Sequence, residues 1–241
     1  MSNVSQVLSS NDLREVTTDK QHVLGSAGHT ADGRKFRYAK AGGSTLAAGK
    51  LAVAADPNAN VVNKAVTANA AIGSKEVKLT AGGAISADAY ADGLLHVNDA
   101  TGEGHTYRIV GNTAGTSGNS YEVVVRLADP IEVALVASTS EVSLYKNDYD
   151  SIVISAVDQA DLPVGVAKVD IPSGSHGWVQ TYGEAAVLAD EAVTRGLELT
   201  IGTGVAGAVE AVDAVGEPLV GTASQALVDT EYSPVFLKIS A

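Results

Sequence analysis

Tyr121-Glu122-Val123-Val124-Val125-Arg126-Leu127 is the segment that decides the fold class of this chain. Alternate residues from Tyr121 to Leu127 form one apolar face, while Glu122 and Arg126 fall on the opposite face. This alternation predicts a half-buried β-strand. Short apolar runs elsewhere in the chain alternate with turn signals at the spacing of roughly 8–12 residues that is typical of all-β sandwiches and barrels.

The same reasoning predicts further strands, most of them short. They lie at residues 35–40, 76–79, 94–98, 106–110, 131–136, 151–157, 164–171, 177–182, 198–201 and 234–239. Turn signals such as Asp32-Gly33, Gly82-Gly83 and Asp129-Pro130 separate them. A short connecting helix is predicted at residues 86–92, with Ser86 as N-cap and Gly93 after its last turn, and another could begin at Asn11.

These elements predict an all-β fold of two small β-barrel or sandwich modules with short connecting helices and an extended N-terminal arm. The arm is expected at residues 1–34, which are polar and lack sustained periodicity. A β-rich domain is expected at residues 35–145. A C-terminal β-barrel domain is expected at residues 146–241, after the charged stretch that begins at Tyr145.

Composition limits what this fold can do. The chain has 241 residues, of which 45% are hydrophobic and only 5% aromatic, so we expect an interior of small aliphatic side chains. A net charge of −12 argues against direct binding of nucleic acid, because such binding relies on cationic patches. No apolar run approaches the ~18 residues of a spanning helix, and the first residues lack the pattern of a secretion signal, so neither a membrane partner nor secretion is expected. The absence of cysteine excludes disulfides and thiolate chemistry.

One glycine-rich motif permits two interpretations. Gly202-Thr203-Gly204-Val205-Ala206-Gly207 matches the dinucleotide fingerprint and follows a predicted strand. A cofactor site would require a helix directly after it, whereas the alternative is the turn of a β-hairpin. We favour the turn, because no series of βαβ units precedes the motif.

Other motifs are weaker. Residues 43–50 resemble a phosphate-binding loop with incorrect glycine spacing, and Ser143 and Lys146 fit SxxK without its companion motifs. The five histidines show no i,i+3 or i,i+4 pairing, and they are expected at the surface or in turns. The sequence therefore predicts no catalytic, cofactor-binding or metal-binding residue, and a protein that is not an enzyme and needs no cofactor.

Four aromatic residues are candidate interface contacts. Trp178 is the only tryptophan and begins a predicted strand. It is interpreted either as a core anchor or as an interface contact, since tryptophan is enriched at binding hot spots. Phe36, Tyr38 and Tyr182 join it as candidate interface residues.

Several phrases resemble the head decoration (capsid cement) proteins of tailed bacteriophages. Asp32-Gly33-Arg34-Lys35-Phe36-Arg37-Tyr38-Ala39-Lys40-Ala41-Gly42, followed by Leu46-Ala47-Ala48-Gly49-Lys50-Leu51, is similar to their N-terminal region. Residues 90–93 and 104–109 have the same character. Residues 177–181, 206–212 and 220–223 resemble their small β-barrel, so the likeness spans most of residues 32–241.

The resemblance implies a structural virion protein on the capsid exterior. Its partners would be the major capsid protein and two further copies of itself, in a homotrimer that stabilises the head. It implies no catalytic residues, and an N-terminal arm that orders on the capsid.

Two alternatives remain open at this point. One is another virion component, such as a head fibre or tail protein. The other is a glycan-binding β-sandwich that stacks sugars on its aromatic residues. The candidates for that stacking are Tyr90, Tyr107, Tyr121, Tyr145, Tyr149 and Trp178.

Overall fold

The structure is a computed structural model that describes residues 5–240, and it confirms the all-β prediction. The strands in these residues are β1 (Gln6–Val7), β2 (Ala27–His29), β3 (Lys35–Lys40), β4 (Leu51–Val53), β5 (Lys64–Ala65), β6 (Glu76–Thr80), β7 (Leu94–Asp99), β8 (Thr106–Asn112), β9 (Glu122–Leu127), β10 (Glu141–Tyr145), β11 (Val153–Ile154), β12 (Pro163–Ala167), β13 (His176–Leu188), β14 (Glu198–Ile201), β15 (Val209–Ala211), β16 (Gly221–Ala223) and β17 (Tyr232–Lys238). The helical segments described are single 3-10 turns at Asp12–Arg14, Ala59–Val61 and Ser117–Asn119.

The chain divides into two compact units, and the division differs from the domains expected from the sequence. Among the described residues, unit 1 combines residues 5–55 with residues 148–240, and unit 2 is residues 56–147. The expected boundary after residue 145 lies close to the observed one. Residues 35–55 instead belong with the C-terminal region, because β3 and β4 pair with β13 and β12. Such long-range pairing leaves no local signal in the sequence.

Unit 1 is organised around the long strand β13. An antiparallel path runs from β3 through β13, β17, β16 and β14 to β15. The far end of this path returns towards its start through a parallel bridge between Ala189, just after β13, and Val209 of β15. A cluster of aliphatic side chains, including Val187, Leu199, Val235 and Leu237, fills the interior between these strands.

The described part of the expected N-terminal arm, residues 5–34, belongs to the packed structure of unit 1. Strand β1 pairs in parallel with β2, which pairs with β3. Leu8, Leu13 and Leu24 are buried beside Phe36, Tyr38 and Trp178 in what we call the aromatic cluster. The expectation of an extended arm is wrong for these residues. They are anchored by three leucines at irregular spacing, and a search for periodic apolar patterns does not detect such residues. Residues 1–4 lie outside the described residues.

The strands β4 and β11 mark where the chain leaves and re-enters unit 1. They pair antiparallel, with Ala52 opposite Ile154 and Val53 opposite Val153. All of unit 2 lies between them in the sequence. Unit 2 is therefore an insertion in the position of a hairpin loop.

Unit 2 is a six-stranded antiparallel sheet that nearly closes into a barrel. Its strand order is β5-β10-β7-β8-β9-β6. The two ends of this path meet at a bridge between Val66 and Leu79. Strand β9 alternates as predicted, with Val123, Val125 and Leu127 buried in the barrel interior. It begins at Glu122 rather than Tyr121, because Ser120 and Tyr121 have positive φ angles and belong to the preceding turn.

The helix predicted at residues 86–92 is wrong. The Asn112 side-chain amide donates to the Ser86 carbonyl at 3.0 Å and its oxygen accepts from the Tyr90 amide at 3.0 Å. Those are the two groups that an α-helix would join directly. The buried Asn112 side chain thus replaces the first helical hydrogen bond, and Asp88 and Asp92 adopt positive φ angles that end any helical path.

Two other predicted elements differ. Residues 131–136 do not form a strand: Ile131 and Leu135 are buried and their amides donate to Ser74 and Ala70, but the residues between them bend away. The strand predicted at residues 151–157 is reduced to β11. At Asn11, the structure has the 3-10 turn Asp12–Arg14, closed by hydrogen bonds between Ser9 and Asp12.

Candidate interaction surface

Three of the four predicted interface residues lie inside unit 1. Phe36, Tyr38 and Trp178 are almost completely buried in the aromatic cluster, and the rings of Tyr38 and Trp178 have centroids 5.4 Å apart. The core-anchor interpretation of Trp178 therefore accounts for its position. Tyr182 keeps part of its surface, packs edge-on against Phe236 at 5.1 Å, and lies beneath the Lys35 ammonium group. Its role as an interface contact stays a prediction.

A concave surface of unit 1 forms where β13 changes partner. This strand pairs with β3 from His176 to Tyr182 and with β17 from Tyr182 to Leu188. Gln180 is buried at the change and its side-chain amide donates to the carbonyls of Tyr182 and Glu184. The backbone oxygens of Tyr182 and Glu184 therefore keep a hydrogen-bond donor where the strand changes partner.

Gly183 allows an arginine to cross this point. It has a φ of +88°, and a Cβ atom there would lie only 2.9 Å from Cγ of Arg34. Any other residue would be strained in this conformation and would also push the Arg34 side chain away. Glycine at position 183 therefore leaves room for the Arg34 side chain against β13.

We call the depression beside it the Arg34 groove. It has a volume of about 500 Å³. Its walls are mainly small and apolar, formed by Ala48, Ala167, Ala185 and Ala186 with Tyr232 at one side. Arg34, Lys168 and Glu184 supply the charged groups of the walls. The groove is thus a mainly apolar trough with charged groups in its walls, and protein interfaces likewise combine an apolar centre with polar groups around it.

The two cations of the groove differ in their surroundings. The Arg34 Nε–H donates to Asp32 Oδ2 at 2.9 Å, and a hydrogen bond from the Thr30 hydroxyl, more than Arg34 itself, lowers the pKa of Asp32. Lys168 forms no ion pair within residues 5–240. Partial burial, then the neighbouring Arg34 and Arg14, lower the pKa of Lys168, while Asp32 acts in the opposite direction. Like charges therefore outweigh opposite charges around this ammonium group.

Glu184 lies within the same walls but has its own partner. Its Oε1 atom accepts a hydrogen bond from the Ser224 hydroxyl at 2.7 Å. Of the charged groups in this groove, the Lys168 ammonium group is therefore the one that a bound anion would neutralise most directly.

The glycine-rich motif at residues 202–207 is the turn of a hairpin. Strand β14 ends just before it and β15, which pairs antiparallel with β14, follows it in place of a helix. The Gly204 amide donates to Asp190 at 2.6 Å and the Thr203 amide donates to Glu210 at 2.9 Å. Carboxylates of the chain thus occupy the backbone donors that a phosphate would need, which agrees with the hairpin interpretation.

The other weak motifs have structural roles. The Ala48 amide, inside the segment that resembles a phosphate loop, donates to Asp170 at 2.8 Å. Ser143 is buried and its hydroxyl accepts from the Asn63 amide at 2.9 Å. Within residues 5–240, no three histidine, aspartate or glutamate side chains group as a metal site requires.

His176 contradicts the expectation that the histidines lie at the surface or in turns. It is buried at the start of β13, and its ring stacks on Tyr38 at 5.9 Å. Its Nδ1 atom has no hydrogen-bond partner. Burial is the main cause that lowers the pKa of His176, because it disfavours the charged form of the ring.

The aromatic residues proposed to stack sugars do not form a platform. Tyr90, Tyr107 and Trp178 are buried in the two interiors. Tyr145 is exposed on the outer face of unit 2, where its ring meets His96 edge-on at 4.8 Å. Sugar stacking needs an open ring face, so these positions give the glycan interpretation little support.

The sequence did not single out Lys168, Ala185 or the open groove itself. Arg34 lies within a phrase that carried the resemblance, but nothing in the sequence placed it beside Lys168. The signal that could have indicated this site is Gly183, a glycine inside a long β-rich segment, since such glycines often mark a bulge or the close approach of another group.

Comparisons with protein-family models, curated proteins and solved structures found no match to this chain. Among residues 5–240, no helix has the length and apolar character needed to cross a membrane.

Proposed function

We propose that this chain is a structural protein of a tailed-phage virion that binds the outer surface of the capsid and stabilises the head, as a homotrimer. The proposal begins from the resemblance described above. In this function, burial of surface against neighbouring subunits replaces chemistry, and symmetry multiplies modest contacts.

The observation that carries the proposal is the convergence of resembling segments at one surface. Arg34 comes from the segment at residues 32–42, Ala48 and Gly49 from the segment at residues 46–51, and Gln180 from the segment at residues 177–181. All of them line the Arg34 groove. Three of the resembling segments thus contribute residues to one concave surface, which supports a binding role for that surface.

The architecture also supports a role in covering other proteins. Both units have aliphatic interiors, and large apolar side chains such as Val7, Ile72 and Val157 are exposed. The acidic character of the chain would limit non-specific association on a particle exterior. These features are also consistent with a head fibre or tail protein, so the experiment must locate the chain on the particle.

Immunogold electron microscopy of phage particles from a lysate that contains the chain tests the proposal. We expect label on the heads, and particles that lack the chain should release DNA at a lower temperature than complete particles. Label confined to tails, or a chain that stays in the supernatant when heads are sedimented, would refute head decoration.

A further inference from the structure

Unit 1 carries a protruding loop whose chemistry is opposite to that of the Arg34 groove. The 213–217 loop, Asp213-Ala214-Val215-Gly216-Glu217, connects β15 to β16. Val215 at its tip is fully exposed. The Asp213 amide donates to Glu217 Oε2 at 3.2 Å, which closes the base of the loop and places a carboxylate on each side of the valine.

A single exposed aliphatic residue is ordinary, so Val215 alone indicates nothing. Val215 becomes significant because its loop complements the Arg34 groove in polarity and charge. An apolar tip between two carboxylates matches an alanine-lined trough that has Arg34 and Lys168 at its margin. A trough of about 500 Å³ has room for a valine side chain together with part of its loop.

The charge distribution along the chain favours the same pairing. Basic residues outnumber acidic residues in residues 1–50, which supply Arg14, Arg34 and the loop before β3. In residues 184–231 the balance is reversed, and Arg195 is the sole basic residue there. In a chain of net charge −12, the 213–217 loop thus belongs to the acidic region, whereas the Arg34 groove receives Arg34 from the basic one.

We propose that the 213–217 loop of one copy of this chain binds in the Arg34 groove of a second copy, with Val215 against the alanines and Asp213 and Glu217 beside Arg34 and Lys168. An anion at this place relieves the crowding of positive charge around Lys168. The partner's valine removes apolar groove surface from water, which supplies most of the free energy.

This contact is heterologous, because loop and groove are different surfaces of the same chain. A heterologous contact generates a ring when its rotation closes. It therefore gives the trimer of the proposed function a specific interface, and it rests on the self-association in that proposal rather than on the capsid binding.

The first test is charge reversal followed by measurement of mass in solution. We expect the wild-type chain to be an oligomer by light scattering coupled to size exclusion. The groove variant Arg34→Glu/Lys168→Glu and the loop variant Asp213→Lys/Glu217→Lys should each run near the monomer mass of 24.4 kDa. Like charges across an interface cost several kcal/mol, so the dissociation constant should rise on the order of a hundredfold or more.

Mixing the two variants is the decisive experiment. The acidic loop of the groove variant fits the unchanged groove of the loop variant, and the reversed loop fits the reversed groove. We therefore expect the equimolar mixture to form heterodimers although neither variant associates alone. The full trimer should not re-form, because a ring of three always places one contact between two copies of the same variant. Circular dichroism spectra and melting temperatures near those of the wild type would show that both variants fold.

An exposed-valine pair supplies a matched control. Val215→Ser should weaken self-association roughly tenfold or more, the effect of removing one buried valine. Val228→Ser, at another exposed valine of unit 1, should leave it unchanged.

Cysteine cross-linking gives a measurement that is independent of mass. The chain has no cysteine, so a chain with Val215→Cys mixed with a chain with Ala185→Cys can form only engineered disulfides. We expect this mixture to give a covalent heterodimer under mild oxidation, and a mixture with Val228→Cys in place of Val215→Cys to give none.

Several results would overturn the inference. They are a wild-type chain that stays monomeric at all concentrations, reversal variants that keep the wild-type mass, and a mixture that fails to associate. A monomeric wild type that still sediments with heads would remove this contact and leave capsid binding intact. Reversal variants that keep their oligomer mass but lose heads would assign the groove to an acidic segment of the capsid instead.

Discussion

Trp178 and Tyr38 stand directly opposite each other across the β13–β3 pair, with ring centroids 5.4 Å apart. His22 lies edge-on to the same tyrosine at 4.9 Å. The pairing register of β13 and β3 thus places the Trp178 and Tyr38 rings in contact, and this ring contact in turn stabilises the register. The aromatic cluster therefore joins the N-terminal segment to the sheet of unit 1.

Trp178→Ala should lower the free energy of unfolding by about 3–5 kcal/mol, the usual cost of truncating a fully buried large aromatic side chain. Urea unfolding followed by circular dichroism measures this, since the substitution removes the only tryptophan fluorophore. Tyr182→Ala, at a half-buried ring, is the control and should cost clearly less. Equal and small losses would show that Trp178 faces a partner and not the core.

Leu13→Ala tests whether the N-terminal segment is folded onto unit 1. Leu13 is only 1% exposed, so its truncation should cost about 2–5 kcal/mol. Val7→Ala is the matched control: Val7 is 69% exposed, and the change should stay within about 0.5 kcal/mol. If thermal unfolding shifted equally little in both variants, the segment would be an unattached arm in solution.

Nicotinamide dinucleotides should leave the melting temperature of the chain unchanged. A ligand that binds the folded state raises that temperature, but the amides of Thr203 and Gly204 already donate to Glu210 and Asp190. Both carboxylates would also repel a pyrophosphate. The cofactor interpretation would be revived by a stabilisation with NAD that disappears in Gly204→Ala.

Stability should fall in mild acid because of His176. Its pKa is lowered from 6.5 in the folded chain, first by burial and then by Lys40 and Lys20, while hydrogen bonds with the backbone of Thr17 and Thr18 act in the opposite direction. As the pH falls through 6.5 the unfolded chain takes up a proton that the folded chain refuses, so folding becomes less favourable until the lower folded pKa is passed.

His176→Phe should flatten this part of the pH profile. The measurement is the free energy of unfolding by urea between about pH 7.5 and pH 5, a window around the ordinary histidine pKa. Wild-type and variant chains should differ in slope within this window and run parallel above it. A variant that keeps the wild-type slope would show that other groups cause the loss.

Sequence patterns predicted most of the longer strands. The bounds of β3 and β14 are as predicted, and β9 shows the alternation that set the fold class. Strand β4 was missed because it has only three residues, all of them buried, so neither its length nor an alternation marks it as a strand. The helix predicted at residues 86–92 failed because a side chain distant in sequence, Asn112, competes for its hydrogen bonds.

The candidate site was much harder to predict than the strands. Arg34, Lys168 and Ala185 are far apart in the sequence, and only the change of partner along β13 brings them to one groove. The four aromatic residues chosen as interface contacts were selected by residue type. Residue type identifies side chains that contribute large contact areas, but it does not distinguish a protein's own interior from its neighbour's surface.

The antiparallel pairing of β4 with β11 makes unit 2 a module that can be exchanged as a whole. Since the paired residues Val53 and Val153 bring the two junctions close together, recombination could exchange residues 56–147 for another module without breaking a ladder of unit 1. Related lineages could diversify here by swapping inserts. The same junction is also a suitable position for inserting a foreign domain by protein engineering.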